Sequence, residues 1–351
     1  MPSSAYAAAD IRPRVDALIA QAVAQRASDV HIEPDTDGYE IRFRIDGLLQ
    51  LVEKVSRPTG HSIINRLMVM ARLLTYRSDI PQEGRVSIDV PHAMDLRLSV
   101  IPTVHGLRAV IRMPADLIAP HRLEDLNLPK RCYQFLKEFC AADSGMLIIT
   151  GPAGSGKTTT IYALLQHLAE SRRGESIISL EDPIERTIRG VTQIEVSTSG
   201  AMNYQTALRS VLRQDPQTLA IGEIRDGATA SLAVQAALTG HRLLSTLHAG
   251  SPVGAIRRLL EMGVERYQLD HSIFGFLNQR LVRRKTPNGY CGRLPIAESL
   301  RIGGELTSTV LLGHDKAEDG NAQSLTSAAR ALVAAGHTDE AEVCRVLGRK
   351  E

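Results

Sequence analysis

Lys157 and Thr158 close a run of small residues, Gly151-Pro152-Ala153-Gly154-Ser155-Gly156, and Thr159 continues it. The apolar stretch 146–150 precedes the run and the helical segment TTTIYALL ends it, so the glycines stand where a strand hands over to a helix. Glycine lets such a loop fold tightly enough for successive backbone N–H groups to converge on anionic oxygens. The helix N-terminus adds its partial positive charge. Lys157 then supplies a full charge for the β- and γ-phosphates, and Thr158 a hydroxyl for Mg²⁺. The alternative is a glycine turn without ligand. With strand, loop, Lys-Thr and helix all present, the reading is a nucleoside triphosphate site.

A phosphate cradle alone hydrolyses nothing; a carboxylate must orient water or hold metal. Two apolar strands end in acid. In SIISLEDPIERTI (176–188), Ile177, Ile178 and Leu180 run into Glu181 and Asp182, with Pro183 and Glu185 beyond. In TLAIGEIRDGAT, Glu223 follows the strand after one glycine. Each has an ordinary explanation: a strand that enters a solvated turn, Pro183 preventing its continuation, and an ion pair between Glu223 and Arg225. The chemical explanation is that both stand at the carboxyl ends of buried parallel strands, beside the phosphate loop in one crevice.

The surrounding pattern supplies that sheet. Short apolar runs at 146–150, 177–180, 218–221 and 243–247 alternate with helices, which argues an α/β fold with a parallel sheet wrapped by helices. The N-terminal part differs. Val15, Leu18, Ile19, Ala22 and Val23 form one helical face, with Asp10 as a cap, and a second helix is expected near 60–74. YEIRFRIDG, MDLRLSVIP and LRAVIRM alternate strictly, with Arg97, Arg108 and Arg112 on the polar parity. Residues 1–115 thus read as a small α+β domain with an arginine-rich sheet face. The three-proline stretch at 116–130 and its flank reads as a linker, and 131–351 as the nucleotide-binding domain with an Ala-rich helical end.

Composition excludes several classes. Hydrophobic and charged fractions of 43% and 23% are those of a globular protein. The formal net charge of +2 and the 13 aromatic residues, none of them Trp, give no nucleic-acid signature. No apolar run reaches the roughly 20 residues of a membrane span, and MPSSAYAAADIRPR lacks signal-peptide form. The four cysteines (132, 140, 291 and 344) include no C-x-x-C pair, which fits a reducing cytoplasm and no zinc site.

The motifs, taken in order, resemble those of the type II secretion and type IV pilus assembly ATPases. They are ASDVHIEP, RFRIDGLL, PQEGRVS, LRLSVIPTVHGLRAVIR, GPAGSGKTTT, LEDPIE, LRQDPQTLAIGEIRD, ALTGHRLLSTLHAGSP, MGVE, NQRLVRR and GYCGRLPIAESL, spanning residues 25 to 300. The resemblance implies a RecA-like P-loop domain preceded by a PAS-like domain, and a hexameric ring that hydrolyses ATP with Mg²⁺. Glu181 would lie in the aspartate box as the base, and Glu223 would be the Walker B glutamate on the Mg²⁺ shell. His241 and His248 fall in the histidine box. His248 would sense the γ-phosphate, whereas His241 is as readily a packed, hydrogen-bonded residue. Arg85 and Arg97 match arginines that close over nucleotide bound to the second domain; Arg42 and Arg108 are read as solvated cations.

The same resemblance implies a cytoplasmic motor at the inner membrane, acting on a platform protein to build pili or pseudopili. It departs from the family pattern where many members carry a four-cysteine zinc insertion, since Arg284 and Gly289 are separated here by only four residues. Larger members also have an additional N-terminal domain; the present sequence begins about a helix before ASDVHIEP. Three other readings stay open: a pilus retraction ATPase, a RecA-type nucleic-acid motor, and a nucleotide-binding assembly subunit without turnover.

Overall fold

Ile41 and Phe43 point inward from a strand whose Arg42 and Arg44 point outward, and this alternation organises the first part of the chain. The computed structural model describes residues 10–89, 94–114, 120–197, 200–302 and 324–348. The chain divides into two units, Met1–Ala119 and Pro120–Glu351. The first nine residues of the expected non-signal N-terminus and the start of the expected linker, 116–119, lie outside the described residues.

In the first unit, α1 (Ile11–Ala24) is capped by the Asp10 side chain, which accepts from the Arg12 N–H. It buries Val15, Leu18, Ile19 and Ala22. Ser56 caps α2 (Arg57–Met70), which adds Ile63, Ile64, Leu67 and Met68 to the same core. Six strands make one antiparallel sheet: β1 (Asp29–Pro34), β2 (Tyr39–Ile45), β3 (Leu48–Val55), β4 (Gln82–Ile88), β5 (Met94–Thr103) and β6 (Gly106–Arg112). Their order is β3-β2-β1-β6-β5-β4. The polar face is less purely basic than the sequence suggests. β1 carries Asp29 and Glu33 into it, and Arg108 lies 2.9 Å from Glu33, while Arg44 and Arg112 each lie 3.3 Å from Asp29. Arg42 pairs with Glu33 and Glu40, so Arg42 and Arg108 are ion-paired rather than simply solvated.

The second unit has a seven-stranded sheet: β7 (Gly145–Thr150), β8 (Ile177–Glu181), β9 (Thr192–Glu195), β10 (Thr218–Ile221), β11 (Arg242–Leu247), β12 (Ile273–Thr286) and β13 (Gly289–Arg301). Their order is β13-β12-β7-β11-β10-β8-β9, and every pairing is parallel except that of β13 with β12. Its helices are α3 (Lys130–Ala141), α4 (Lys157–Ser171), α5 (Tyr204–Val211), α6 (Gly227–Leu238), α7 (Pro252–Glu261) and α8 (Arg266–Ser272). The apolar clusters below and above the sheet make it a buried α/β layer. Leu123 and Leu126 pack in one of those clusters with Phe135 and Phe139, so the later part of the expected linker belongs to this core.

The long β12–β13 hairpin is clamped by α9 (Leu325–Ala334) and α10 (Glu340–Leu347), through Val282, Leu294, Ile296, Ala329 and Val343. Glu342 of α10 is 1% exposed and accepts from the Arg283 backbone N–H and from the Arg283 and Arg345 guanidiniums. Burial alone would raise its pKa, but the hydrogen bonds from Arg345 and Arg283 outweigh it and hold the carboxyl at about 2. Because the folded pKa is depressed, the contribution is complete above the unfolded value near 4.5 and is lost as pH falls towards 2. Glu342→Gln should therefore lower stability by about 3 kcal/mol at neutral pH. In urea unfolding, the gap to wild type should narrow on acidification from pH 4.5 towards 2.

Candidate active site

The loop between β7 and α4 depends on backbone shapes that side chains oppose. Gly151, Gly154 and Gly156 have φ of 147°, 73° and 91°. A Cβ on Gly151 would stand 2.5 Å from Ser155 Oγ and 2.6 Å from the Gln279 carbonyl oxygen. Pro152, Ala153 and Gly154 are exposed, Ser155 is buried and Gly156 half-buried. Among the described residues, Ser155 Oγ has no hydrogen-bond partner. Lys157 is also buried, and its ammonium donates to the carbonyls of Gly151 and Pro152, each at 2.9 Å. Burial lowers its pKa from the ordinary lysine range, with the Glu223 carboxylate acting in the opposite direction. Thr158 is exposed at the start of α4 and Thr159 is half-buried.

Neighbouring strands finish at the same edge as this loop. Thr150 of β7 stands opposite Leu247 of β11, and Ile221 of β10 opposite Leu180 of β8. The next residues of those strands are Gly151, His248, Gly222-Glu223 and Glu181. Glu223 receives the Arg225 Nε–H at 2.8 Å, the ion pair that the sequence admits. His248 Nε2 lies 3.2 Å from the other Glu223 oxygen, so the structure brings these two residues together. His241, at the foot of β11, has Nδ1 2.9 Å from the Ala236 carbonyl and donates to it, the packed alternative.

Glu181 is 7% exposed. Its Oε1 accepts from Ser179 Oγ at 2.6 Å and Gln193 Nε2 at 2.9 Å, and its Oε2 from the Tyr162 hydroxyl. Tyr162 comes from α4, directly after the phosphate loop, and also accepts from the Glu185 N–H at 2.9 Å. Burial, then the hydrogen bond to Glu181, pushes the Tyr162 hydroxyl pKa well up, so it stays a donor. Gln193 is itself fixed, accepting from the Ile188 N–H and donating to the Arg186 carbonyl. A carboxylate offers about four lone-pair positions, and the three donors among the described residues leave one of them open.

Arg85 and Arg97 belong to the first unit. They stand directly opposite each other on β4 and β5, and Arg97 is in turn opposite Arg112 on β6. Arg85 is exposed and Arg97 half-buried. Sequence reasoning gave no role to Tyr162, Ser179, Gln193 or Gln279. The available signal was a polar residue inside an otherwise apolar strand or helix, as in IISLE and FLNQRLV.

A mostly parallel sheet with a glycine loop after one strand, and glutamates at the ends of two others, defines a P-loop ATPase fold. The ATPase DotB of Legionella pneumophila has this fold, superposing with a TM-score of 0.76 at 22% identity over 94% of each chain. The sequence matches the type II/IV secretion system protein family over residues 5–345, and the chain belongs to that family. It is 42% identical over 270 residues to type II secretion system protein E of Pectobacterium carotovorum, covering 77% of this chain and 54% of the relative. It is 40% identical over 275 residues to type II secretion system ATPase E of Vibrio cholerae, covering 78% and 54% respectively. The chain thus spans about half the length of these relatives. No helix among the described residues is long and apolar enough to cross a membrane.

The loop geometry predicts unequal glycine substitutions. Gly154→Ala meets no atom within 4 Å and should cost only about 1 kcal/mol for its positive φ. Gly151→Ala must displace a backbone carbonyl and should cost about 3 kcal/mol or more. Thermal unfolding of the two variants measures the difference.

Proposed function

We propose that the chain is an ATPase motor that drives assembly of type IV pili or type II secretion pseudopili. The observation that carries this reading is the carboxylate of Glu181, buried and held by three donors at the sheet edge that also bears the phosphate loop. A base that orients water must keep a fixed aim and one free lone pair, and this arrangement provides both. The backbone of Gly151–Thr159 and the Lys157 ammonium bind the ATP phosphates. Phosphate oxygens replace the two loop carbonyls that hold Lys157 in their absence. His248, against Glu223, reads the γ-phosphate.

The donor set fits a Mg²⁺ ion bound mainly by phosphate and water, with the Thr158 hydroxyl as ligand and Glu223 acting on its water shell. When bound, the ion neutralises charge on the β- and γ-phosphates. In this reading residues 1–115 form a PAS-like domain and 131–351 a RecA-like domain, joined by 116–130, whose later part packs with the second unit. The position of Arg85 and Arg97, directly opposite each other on β4 and β5 and so on one face of the sheet, supports a role for both against the charge of phosphoryl transfer. Family membership supports the wider setting: a homo-oligomer, as a hexameric ring, cytoplasmic and peripheral to the inner membrane, acting on a platform protein and not on nucleic acid.

Glu181→Gln tests the base. The amide oxygen can keep Ser179 and Gln193, and the amide N–H can turn to the Tyr162 oxygen, so the fold should persist. ATP affinity should stay within a few-fold while kcat falls at least about 100-fold. Equal hydrolysis by both proteins would make Glu181 only the end of a strand and pass the role to Glu223. Arg97→Ala should lower kcat by about a thousandfold, with binding of ATP to the second domain largely retained.

A further inference from the structure

Gln279 is 2% exposed on β12, and all its side-chain hydrogen bonds among the described residues go to the phosphate loop or the first turn of α4. Its Nε2 donates to the Ser155 carbonyl at 2.8 Å, and its Oε1 accepts from the Thr160 hydroxyl at 3.0 Å. Its backbone carbonyl is the backbone atom that a Cβ at Gly151 would strike, 2.6 Å away, and its Nε2 lies 2.9 Å from the place of a Cβ at Gly156. One residue therefore backs the loop at its first glycine, its last glycine and the serine between. The residues on either side grip another loop. Asn278 Nδ2 and Arg280 Nη2 each donate to the Gly250 carbonyl at 3.1 Å, two residues beyond His248. Arg280 also donates to Asn278 Oδ1 at 2.9 Å, which ties the two side chains together.

A leucine would fill the same space without the cost of burying an amide. The amide is instead satisfied by groups whose positions set the phosphate cradle. A loop that must leave its inner N–H groups free for a ligand cannot hold itself together with them, and needs support from behind. We propose that Gln279 is a positioning residue for the phosphate loop: from β12 it holds the cradle open in its binding shape, while Asn278 and Arg280 fix the loop that follows His248 to the same strand. This deepens, and rests on, the reading of that loop as a nucleotide site.

The test is titration of the full chain with a fluorescent ADP analogue and Mg²⁺, well below the unfolding temperature, alongside thermal unfolding. Gln279→Leu should weaken binding about tenfold, and Gln279→Glu more, because it faces the Ser155 carbonyl with a carboxylate oxygen. Thr160→Val, which removes one of the two bonds and preserves shape, should weaken it a few-fold, and decides the matter should the leucine variant fail to fold. A lower Tm with unchanged affinity in the folded variants would make Gln279 a packed core residue and overturn the proposal. Failure of the wild type itself to bind would instead sink the nucleotide site, and this inference with it.

Discussion

The parallel pairing of β7, β11, β10 and β8 is the constraint on which the site depends. Their hydrogen-bonded register makes four strands stop at one edge, and each strand ends in, or is followed within two residues by, a different chemical group. β7 delivers the glycine loop, β11 His248, β10 Glu223 and β8 Glu181. A slip in any one pairing would move that group by a residue and turn it to the other face. The apolar clusters on both sides of the sheet hold the register, because every residue of β8, β10 and β11 is buried.

The polar groups at that edge are then governed by how burial is compensated. Glu181, Lys157 and Gln279 are all nearly inaccessible, and each would be costly without partners. Glu181 takes three donors, and Lys157 takes two backbone carbonyls. These two kinds of partner differ in consequence. Side-chain donors around Glu181 fix it, whereas the carbonyls under Lys157 are weak holders that a phosphate can outcompete by charge. The same logic applies to arginines of the first unit. Arg42, Arg44 and Arg108 pair with Asp29, Glu33 and Glu40 on the polar face of the sheet.

Much of the site was legible because its chemistry is local. The glycine loop needs consecutive residues, and apolar strands that stop on acid announce themselves, so Gly151 to Thr159, Glu181 and Glu223 can be read from spacing. The four inner strands were legible as well, since short, mostly apolar runs of four or five residues, broken only by Ser or Thr, suit a doubly covered sheet. β12 and β1 were not. In β12 Asn278 and Gln279 break the apolar run, and in β1 Asp29 and His31 do the same, yet all four are buried. Their partners lie on distant segments: Ser155 and Gly250 for β12, Arg112 and Arg44 for Asp29. A period of hydropathy carries no information about such pairs. For the same reason the Tyr162, Ser179 and Gln193 donors to Glu181 came only with the structure.

The central claim is that the β7–α4 loop binds a nucleoside triphosphate through Lys157 and its surrounding backbone. Titration calorimetry with a non-hydrolysable ATP analogue and Mg²⁺, on wild type and Lys157→Ala, tests it most directly. The account predicts binding by wild type and an affinity about 10- to 100-fold lower in the variant, the loss of a charge-assisted contact to phosphate. Equal affinity in the two proteins would contradict it, since the nucleotide would then be held somewhere else.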